Sequence, residues 1–556
     1  MVRGYPLSAI GLTVTVLACM PSTVMARPPS PTSKCAVHAC TPATAPQNPF
    51  LADSANPISH RNSAQQDSAP TRGPEGPTRE LAAADVQWTF VGPGHYGAVL
   101  SSPYRDGRRV LWSNGSDRIA KLDANTFEVL AQFPLGDALR FEKTSSLAAL
   151  DAVTSASAEK KPWEAIKFAT RIAKATDGIA GVYAMVDRDN EFYVGTRSGI
   201  SAYGDAVRGD PTSPIKRLRQ WTAPAEIRGA FVGINMTYDG WIILVSEYGD
   251  VVALSRDFKT THTIRMRRSE EAPAFMKAAE DAGRVGYGWV RNSYAVDGQG
   301  GIYIASSGYL HKVIWTGSRL SIDDADGAWV TSYRNGTQLG SGSTPALMGF
   351  GPSEDHLVVI TDGDTVMNVT AFWRDKIPSG WRAPANASSN RTAGFLPANM
   401  GDAGIKAIQS EQAVVVAGYG ALVVNNQSAS IPPGYPPRAA QLLVGLLGND
   451  PRFTPHGLQK FLWNSKKKHL ELGWTNKVVA SPNTVPFVSV GSNLAYTLGA
   501  RDGRWTLEGL DWSTGRSRFH YILPNDNYNA YFAGITMDGE GNIIYGSPFG
   551  KVKIKK

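Results

Sequence analysis

The chain has 556 residues, 42% of them hydrophobic and 19% charged, with 56 glycines, 35 prolines and a formal net charge of +8. That is ordinary globular material, long enough for several small domains or one large repetitive one. The basic residues are scattered apart from "SKKKHLE" around Lys466 and the terminal "KVKIKK", which argues against nucleic acid as a partner and leaves two solvated faces.

Arg3 precedes the apolar run "LSAIGLTVTVLACM", which is too short to span a bilayer, and the small residues of "VMA" end at Ala26. This pattern predicts a signal peptide over 1–26, a secreted or periplasmic protein, and no integral membrane domain. A competing cleavage within "VLAC" would leave Cys19 as a lipid anchor, although Leu17 at the middle position fits that pattern poorly. Cys35 and Cys40 flank His38 in "CAVHAC". Two thiols and one imidazole fall short of a closed zinc site, so a small disulfide loop or two idle thiols is expected.

Residues 27–80 hold ten prolines and one aromatic residue, Phe50. Such a segment lacks the apolar surface to offset its ordering entropy, and it is expected to be disordered. The folded domain then runs over 81–556 and starts near "DVQWTFVGPG". From there an alternating apolar run, a Gly/Asp/Asn turn, a second run and a third recur. The clearest copies are "VYAMVDRDNEFYVGTRSGISAYG" at 182, "GINMTYDGWIILVSEYGDVVALS" at 233, "NSYAVDGQGGIYIASSGYLHKV" at 292 and "AGITMDGEGNIIYGSPFGKVKI" at 533. Period-two alternation in units of this size predicts an all-β chain, a β-propeller of about eight four-stranded blades, with six or seven as the alternative. A sandwich has no reason for such self-similarity. The last unit stops after three strands, so "VQWTFVG" is expected to supply the fourth and close the ring, hiding the sheet edges.

Two short helical inserts interrupt the pattern. In "KPWEAIKFATRIAKATDG" Ala165, Phe168, Ala169, Ile172 and Ala173 make an apolar stripe. "SEEAPAFMKAAEDAG" offers Ser269 as a cap, Phe275, Ala278, Ala279 and Ala282 on one face, and Gly283 as a stop.

His95, exposed by glycines in "GPGHYG", is the candidate acid-base group, with Tyr96 beside it to aid a proton transfer. Asn525, Asn527 and Tyr528 in "PNDNYNAYFAG" are candidate ligand-binding residues on a loop expected to open on the channel. Asp239, Asp297 and Asp538 sit in repeated "DG" turns and are assigned to hairpin duty. No G-x-S-x-G elbow, H-E-x-x-H or P-loop occurs.

The stretch "NSYAVDGQGGIYIAS" resembles the blade signature of the strictosidine synthase, gluconolactonase and SMP-30 group, whose blades often open N-D-x-x-x-D-x-x-G; the likeness covers residues 230–375. It implies a calcium near the axis, held by oxygen donors from several blades. Asn292 matches by position and Asn235 one residue out of register, and Asp362, Asp364 and Asn425 add donors at strand ends. Such a cation would polarise a lactone or ester carbonyl. "LDANTFEVL" at 122 and "LDWSTGRSRF" at 510 resemble the turn of pyrroloquinoline quinone dehydrogenases, although an Asp at the head of such a turn is also plain hairpin chemistry. The first expectation is thus an exported enzyme acting on a small organic molecule, a lactone or ester hydrolase or a strictosidine-synthase-like enzyme. The alternatives are a non-catalytic propeller that binds a small molecule, glycan or protein, and a quinoprotein-like dehydrogenase.

Overall fold

The structure is a computed structural model that describes residues 43–175, 182–282, 287–434 and 439–556. The expected signal peptide, Cys19, Cys35, Cys40, His38 and Gly283 lie outside the described residues. Among these, no helix is long and apolar enough to cross a membrane.

Eight sheets, each with a four-stranded antiparallel core, follow one another along the chain. Blade one holds Val99–Leu100, Val110–Asn114, Arg118–Asp123 and Val129–Pro134, and blade seven ends at Ser517–Ile522. Blade eight is Thr536–Met537, Ile543–Gly546 and Gly550–Ile554, completed by Val86–Phe90, which pairs antiparallel with Gly550–Ile554. The ring therefore closes as expected, with N- and C-terminal strands in one blade. First strands such as Asn235–Met236 and Ala295–Val296 are two residues long and wholly buried, and those of neighbouring blades abut, so they line the axis. Fourth strands such as Thr261–Arg265 alternate exposed and part-buried residues and form the rim.

Two of the three "DG" turns behave as read; in the third, Thr237 Oγ1 accepts the Trp241 amide, and Asp239 accepts the Thr237 hydroxyl and the Trp315 indole N–H of blade four. Asp297 Oδ1 accepts the amides of Gln299 and Gly301 while its Oδ2 accepts the Tyr303 hydroxyl, and Asp538 likewise accepts the amides of Glu540 and Asn542. Asp123 and Asp511, in the two "D-x-x-T" turns, cap the amides that follow them.

Blades are joined by aromatic packing, including Trp112 on Phe192, Trp241 on Trp315 and Trp373 on Trp463. Third-strand lysines add a second joint. Lys121, Lys312, Lys460 and Lys553 each reach the outer turn of the next blade, bonding Asp205, Asp375, the Trp512 oxygen and the Ala124 oxygen. Burial pushes the Lys460 ammonium down to about 8.

Among the described residues, four helices decorate one end. α1 (Lys143–Ala158) and α2 (Pro162–Ala175) lie between blades one and two, α3 (Ala272–Asp281) between blades three and four, and α4 (Ala439–Leu447) between the second and third strands of blade six. In an up-and-down blade these two kinds of connection share an end of the ring. Ala165, Ala169 and Ile172 bury the predicted stripe of α2 against α1, α4 and blades seven and eight. Ser269 does not cap α3; it starts a 3-10 turn, Ser269–Glu271, that runs into the helix.

The expectation of disorder up to residue 80 fails over the described part of that segment. Residues 48–73 form a collar inside the ring. Backbone oxygens of Asn56, Pro57, Ser63, Ala64, Gln66 and Asp67 accept the amides of Leu100, Val186, Val296, Leu347, Val416 and Val488, the first strands of blades one, two, four, five, six and seven in that order. A dozen residues that touch six inner strands in ring order can only circle the axis. The collar enters antiparallel along blade two, where Leu51 bridges Asp187 and Ile58 bridges Met185. It leaves parallel to blade seven, with Ser68 opposite Val488 and Ala69 opposite Ser489. The physical reason is that the inner strand edges carry unpaired amides at the axis, and a polar segment satisfies them with its backbone. Its polar composition is no obstacle to this kind of burial.

Candidate functional site

At the helix-bearing end, the connections leading into the first strands meet the collar and enclose a cavity of about 340 Å³. Its floor is the collar. His60 Nδ1 lies 2.7 Å from Asp67 Oδ2, with side chains 8% and 4% exposed. A carboxylate only accepts, so Nδ1 is the donor of this pair, and the tautomer that matches it leaves Nε2 as the acceptor. That second nitrogen has no protein hydrogen-bond partner among the described residues.

The backbone that carries this pair is strained. His60, Arg61, Gln65 and Asp67 all have φ between 52° and 72°. Each non-glycine residue in that region costs about 1–3 kcal/mol, a cost usually retained where geometry matters. The surroundings hold it: Gln66 Nε2 donates to the Leu347 oxygen, Asn62 Nδ2 to Gln66 Oε1, and Asn235 Nδ2 to the Ser63 oxygen.

The walls add chemistry. Arg291 Nη1 donates to Glu411 Oε2 at 2.5 Å, and the Tyr287 hydroxyl donates to Glu411 Oε1 at 3.2 Å. The Arg291 guanidinium also lies over the Tyr287 ring, 4.7 Å from its centre. Burial works against the Arg291 charge, but the Glu411 carboxylate outweighs it and holds the pKa above its usual value. Tyr183, whose ring is 5.9 Å from that of His60, has its hydroxyl pKa raised by burial and stays a donor. Val182, Ala413, Val485, Phe532 and Ile535 supply the apolar surface.

The residues singled out from the sequence are mostly elsewhere. Of the five candidate metal ligands only Asn292 lines the cavity, with its Nδ2 on the Ser341 oxygen at 3.0 Å. Asn235 is fully buried and gives its amide to the Ser63 and Tyr294 oxygens. Asp362, pushed up to about 6 by burial, receives the Asn368 side chain and the amides of Asn368 and Asp364. Asp364 pairs with Arg334, and Asn425 with the His456 oxygen. These five do not converge, and among the described residues no group of three or more His, Cys, Asp or Glu gathers as a metal would require.

His95 is fully buried, not exposed. It bonds Ser113 Oγ at 2.9 Å, and burial holds its pKa well below the usual value, so it stays a neutral packing residue. Its neighbour Tyr96 does line the cavity, packed near Tyr531. Asn525 caps a 3-10 turn, Asp526–Tyr528, that holds Asn527 and Tyr528 and is set against α1 by a bond from Thr154 to Asp526, and none of the three lines the cavity; Phe532, further along the same loop, does.

His60, Asp67, Arg291, Glu411, Tyr183 and Tyr287 were not singled out. The only signal of the collar in the sequence is that Phe50, Leu51 and Ile58 interrupt an otherwise polar, proline-rich run.

No family model matches the chain. Among solved structures, a quinohemoprotein alcohol dehydrogenase from Comamonas testosteroni is 10% identical with a TM-score of 0.47, over 92% of this chain and 78% of that one. A second, from Pseudomonas putida HK5, is 10% identical with a TM-score of 0.49, over 91% and 80%. A streptogramin B lyase is 9% identical with a TM-score of 0.36, over 84% and 96%. Likenesses this distant say nothing of chemistry, and the propeller stands on its own eight sheets. A protein of Archaeoglobus fulgidus (strain ATCC 49558 / DSM 4304 / JCM 9628 / NBRC 100126 / VC-16), described as an uncharacterized protein, is 30% identical over 525 residues, 92% of this chain and 89% of that one. With the likeness running through nearly the whole of both chains, this protein belongs to the family of that archaeal protein.

Proposed function

We propose that the protein is an exported β-propeller hydrolase that opens a small organic ester or lactone in the axial cavity, with His60 as general base. The observation that carries this reading is the His60–Asp67 pair, held in a strained turn with its free nitrogen on the cavity. The likeness of residues 230–375 to the strictosidine synthase and gluconolactonase group supports the substrate class. Export rests on the pattern of residues 3–26, and N-terminal sequencing of the mature protein tests it.

In this mechanism a water gives a proton to His60 Nε2 as its oxygen attacks the carbonyl carbon. Asp67 stabilises the imidazolium that forms, and the neutral Tyr183 hydroxyl is the neighbouring donor for the carbonyl oxygen. The carbon–oxygen bond to the leaving group then breaks, and the imidazolium returns its proton to the departing alkoxide. The products are an acid and an alcohol, or one hydroxy acid from a lactone. The calcium implied by the resemblance has no role in this scheme, because its candidate ligands are bonded elsewhere.

The test is hydrolysis of a panel of aryl esters and γ- and δ-lactones, followed by a pH indicator. His60→Gln and Asp67→Asn are expected to fold normally and to lose a factor of about 100 or more. If the panel is not turned over, or if His60→Gln matches the parent, the reading fails, and binding without turnover would favour a non-catalytic propeller.

A further inference from the structure

Three side-chain amides line the axial cavity, those of Asn56, Asn292 and Gln412, and they are not alike. Asn56 Nδ2 donates to the Ala98 oxygen at 2.5 Å, and Asn292 Nδ2 to the Ser341 oxygen at 3.0 Å. Gln412 stands on the connection into the first strand of blade six, where its main-chain amide donates to Ser410 Oγ at 3.2 Å. The residue is only 4% exposed, yet among the described residues its side-chain carboxamide makes no hydrogen bond. Neither Oε1 nor Nε2 is sealed from solvent, so the carboxamide opens on the cavity that the residue lines. A buried polar group left without partners costs about 1–3 kcal/mol, and in a native structure it calls for a partner.

The charges around it are already matched. Asp67 holds His60, and Glu411 holds both Arg291 and Tyr287, so a neutral ligand suits the cavity. On one edge of a carboxamide the oxygen accepts and the N–H beside it donates. A lactam ring carries N–H and C=O side by side in the complementary order and satisfies both at once. An ester or lactone group only accepts, and a trans amide turns its N–H and C=O to opposite sides. From this geometry we infer that the axial cavity takes a compact neutral ligand with a cis-amide edge, as in a lactam ring, and that Gln412 is the residue that reads it. Val182, Val485, Phe532 and Ile535 cover the apolar body of the ligand. A cavity of about 340 Å³ lies at the small end of the range for small-molecule sites, which suits one or two rings. The inference rests on the axial cavity being the substrate site and deepens the hydrolytic reading: the ester or lactone that His60 opens carries such an edge elsewhere in the molecule.

The experiment uses the full mature protein and two uncharged probes of one shape, 3,4-dihydro-2-quinolinone and 2-tetralone, which differ in an N–H replaced by a methylene. Titrations followed by melting temperature give the affinity of each. The lactam is expected to bind at least about tenfold more tightly than the ketone. Gln412→Met keeps the length of the side chain and removes both polar atoms, and it should bring the two probes to within about twofold of each other. If that variant does not fold, the ratio of the two affinities in the parent still decides. Asp67→Asn should keep the preference for the lactam even where it loses turnover, which separates failure of this inference from failure of the hydrolytic mechanism. Equal affinities, no binding of either probe, or a preference that survives in Gln412→Met would overturn it.

Discussion

The side-chain amide of Asn235 donates to the main-chain oxygen of Ser63 at 3.1 Å and to that of Tyr294 at 2.8 Å. One fully buried residue thereby ties blade three to the axial collar and to blade four. The Ser63 oxygen also receives the Val296 amide, so the strained turn that presents His60 and Asp67 is held from two blades at one point. Asn235 thus acts on the site through the collar.

Asn235→Leu keeps the volume and removes the donors. The Tyr294 oxygen and the Met236 amide, which Asn235 Oδ1 accepts, lose this partner, the Ser63 oxygen keeps only the Val296 amide, and the expected cost is about 2 to 4 kcal/mol of stability. Thermal melts check the cost, and faster hydrogen exchange of the Val296 and Leu347 amides checks that the collar has loosened. A variant that melts with the parent would show that the collar is held without this residue.

Residues 81–90 and the collar make separable contributions. A chain that begins at residue 81 keeps the strand Val86–Phe90 and the closed ring but loses the partners of six inner-strand amides. It should fold with a lower melting temperature. A chain that begins at residue 91 also leaves Gly550–Ile554 as an open edge and should aggregate. Size-exclusion chromatography of the two truncations distinguishes these outcomes, and equal behaviour would contradict the closure.

His311 is buried against Ser306 Oγ, and burial holds its pKa at about 3, below the usual 6.5. A depressed folded value means that its contribution is complete above about 6.5 and is lost as pH falls toward 3. The loss accrues at about 1.4 kcal/mol per pH unit between those limits. His311→Gln, which keeps a partner for Ser306, should show a shallower loss of melting temperature with acid than the parent. Parallel profiles for parent and variant would rule this contribution out.

The five residues first read as an axial calcium set are spread over blades three to six, and each has a protein partner. Chelation is therefore expected to leave the melting temperature unchanged, because those residues form no common cage. A drop in the melt with EDTA, restored by calcium, would place a cation among groups that lie apart here.

The blades were legible because their signal is local. "SYAV", "DGQG" and "GIYIAS" contain their own strands and turn, and Asp297 closes that turn with atoms from its own hairpin. The stripe of α2 was legible for the same reason, since Ala165, Ala169 and Ile172 recur at the helical period. α1 and α4 escaped notice: "KTSSLAALDAVTSASA" has a weak stripe among small residues, and "AAQLLVGLL" is apolar on every side.

What the sequence by itself determined is the repeated blade, the ring closure by "VQWTF" and the hairpin role of Asp297 and Asp538, all set by contacts between near neighbours or by one strand's pattern. Only the tertiary structure decided the collar and the site. Asn235 has the same local sequence whether it holds a metal or Ser63, and His60 meets Asp67 only because a polar segment finds unpaired amides around the axis. Those partners come from six blades, and the backbone bonds that bury the segment leave no mark on its composition.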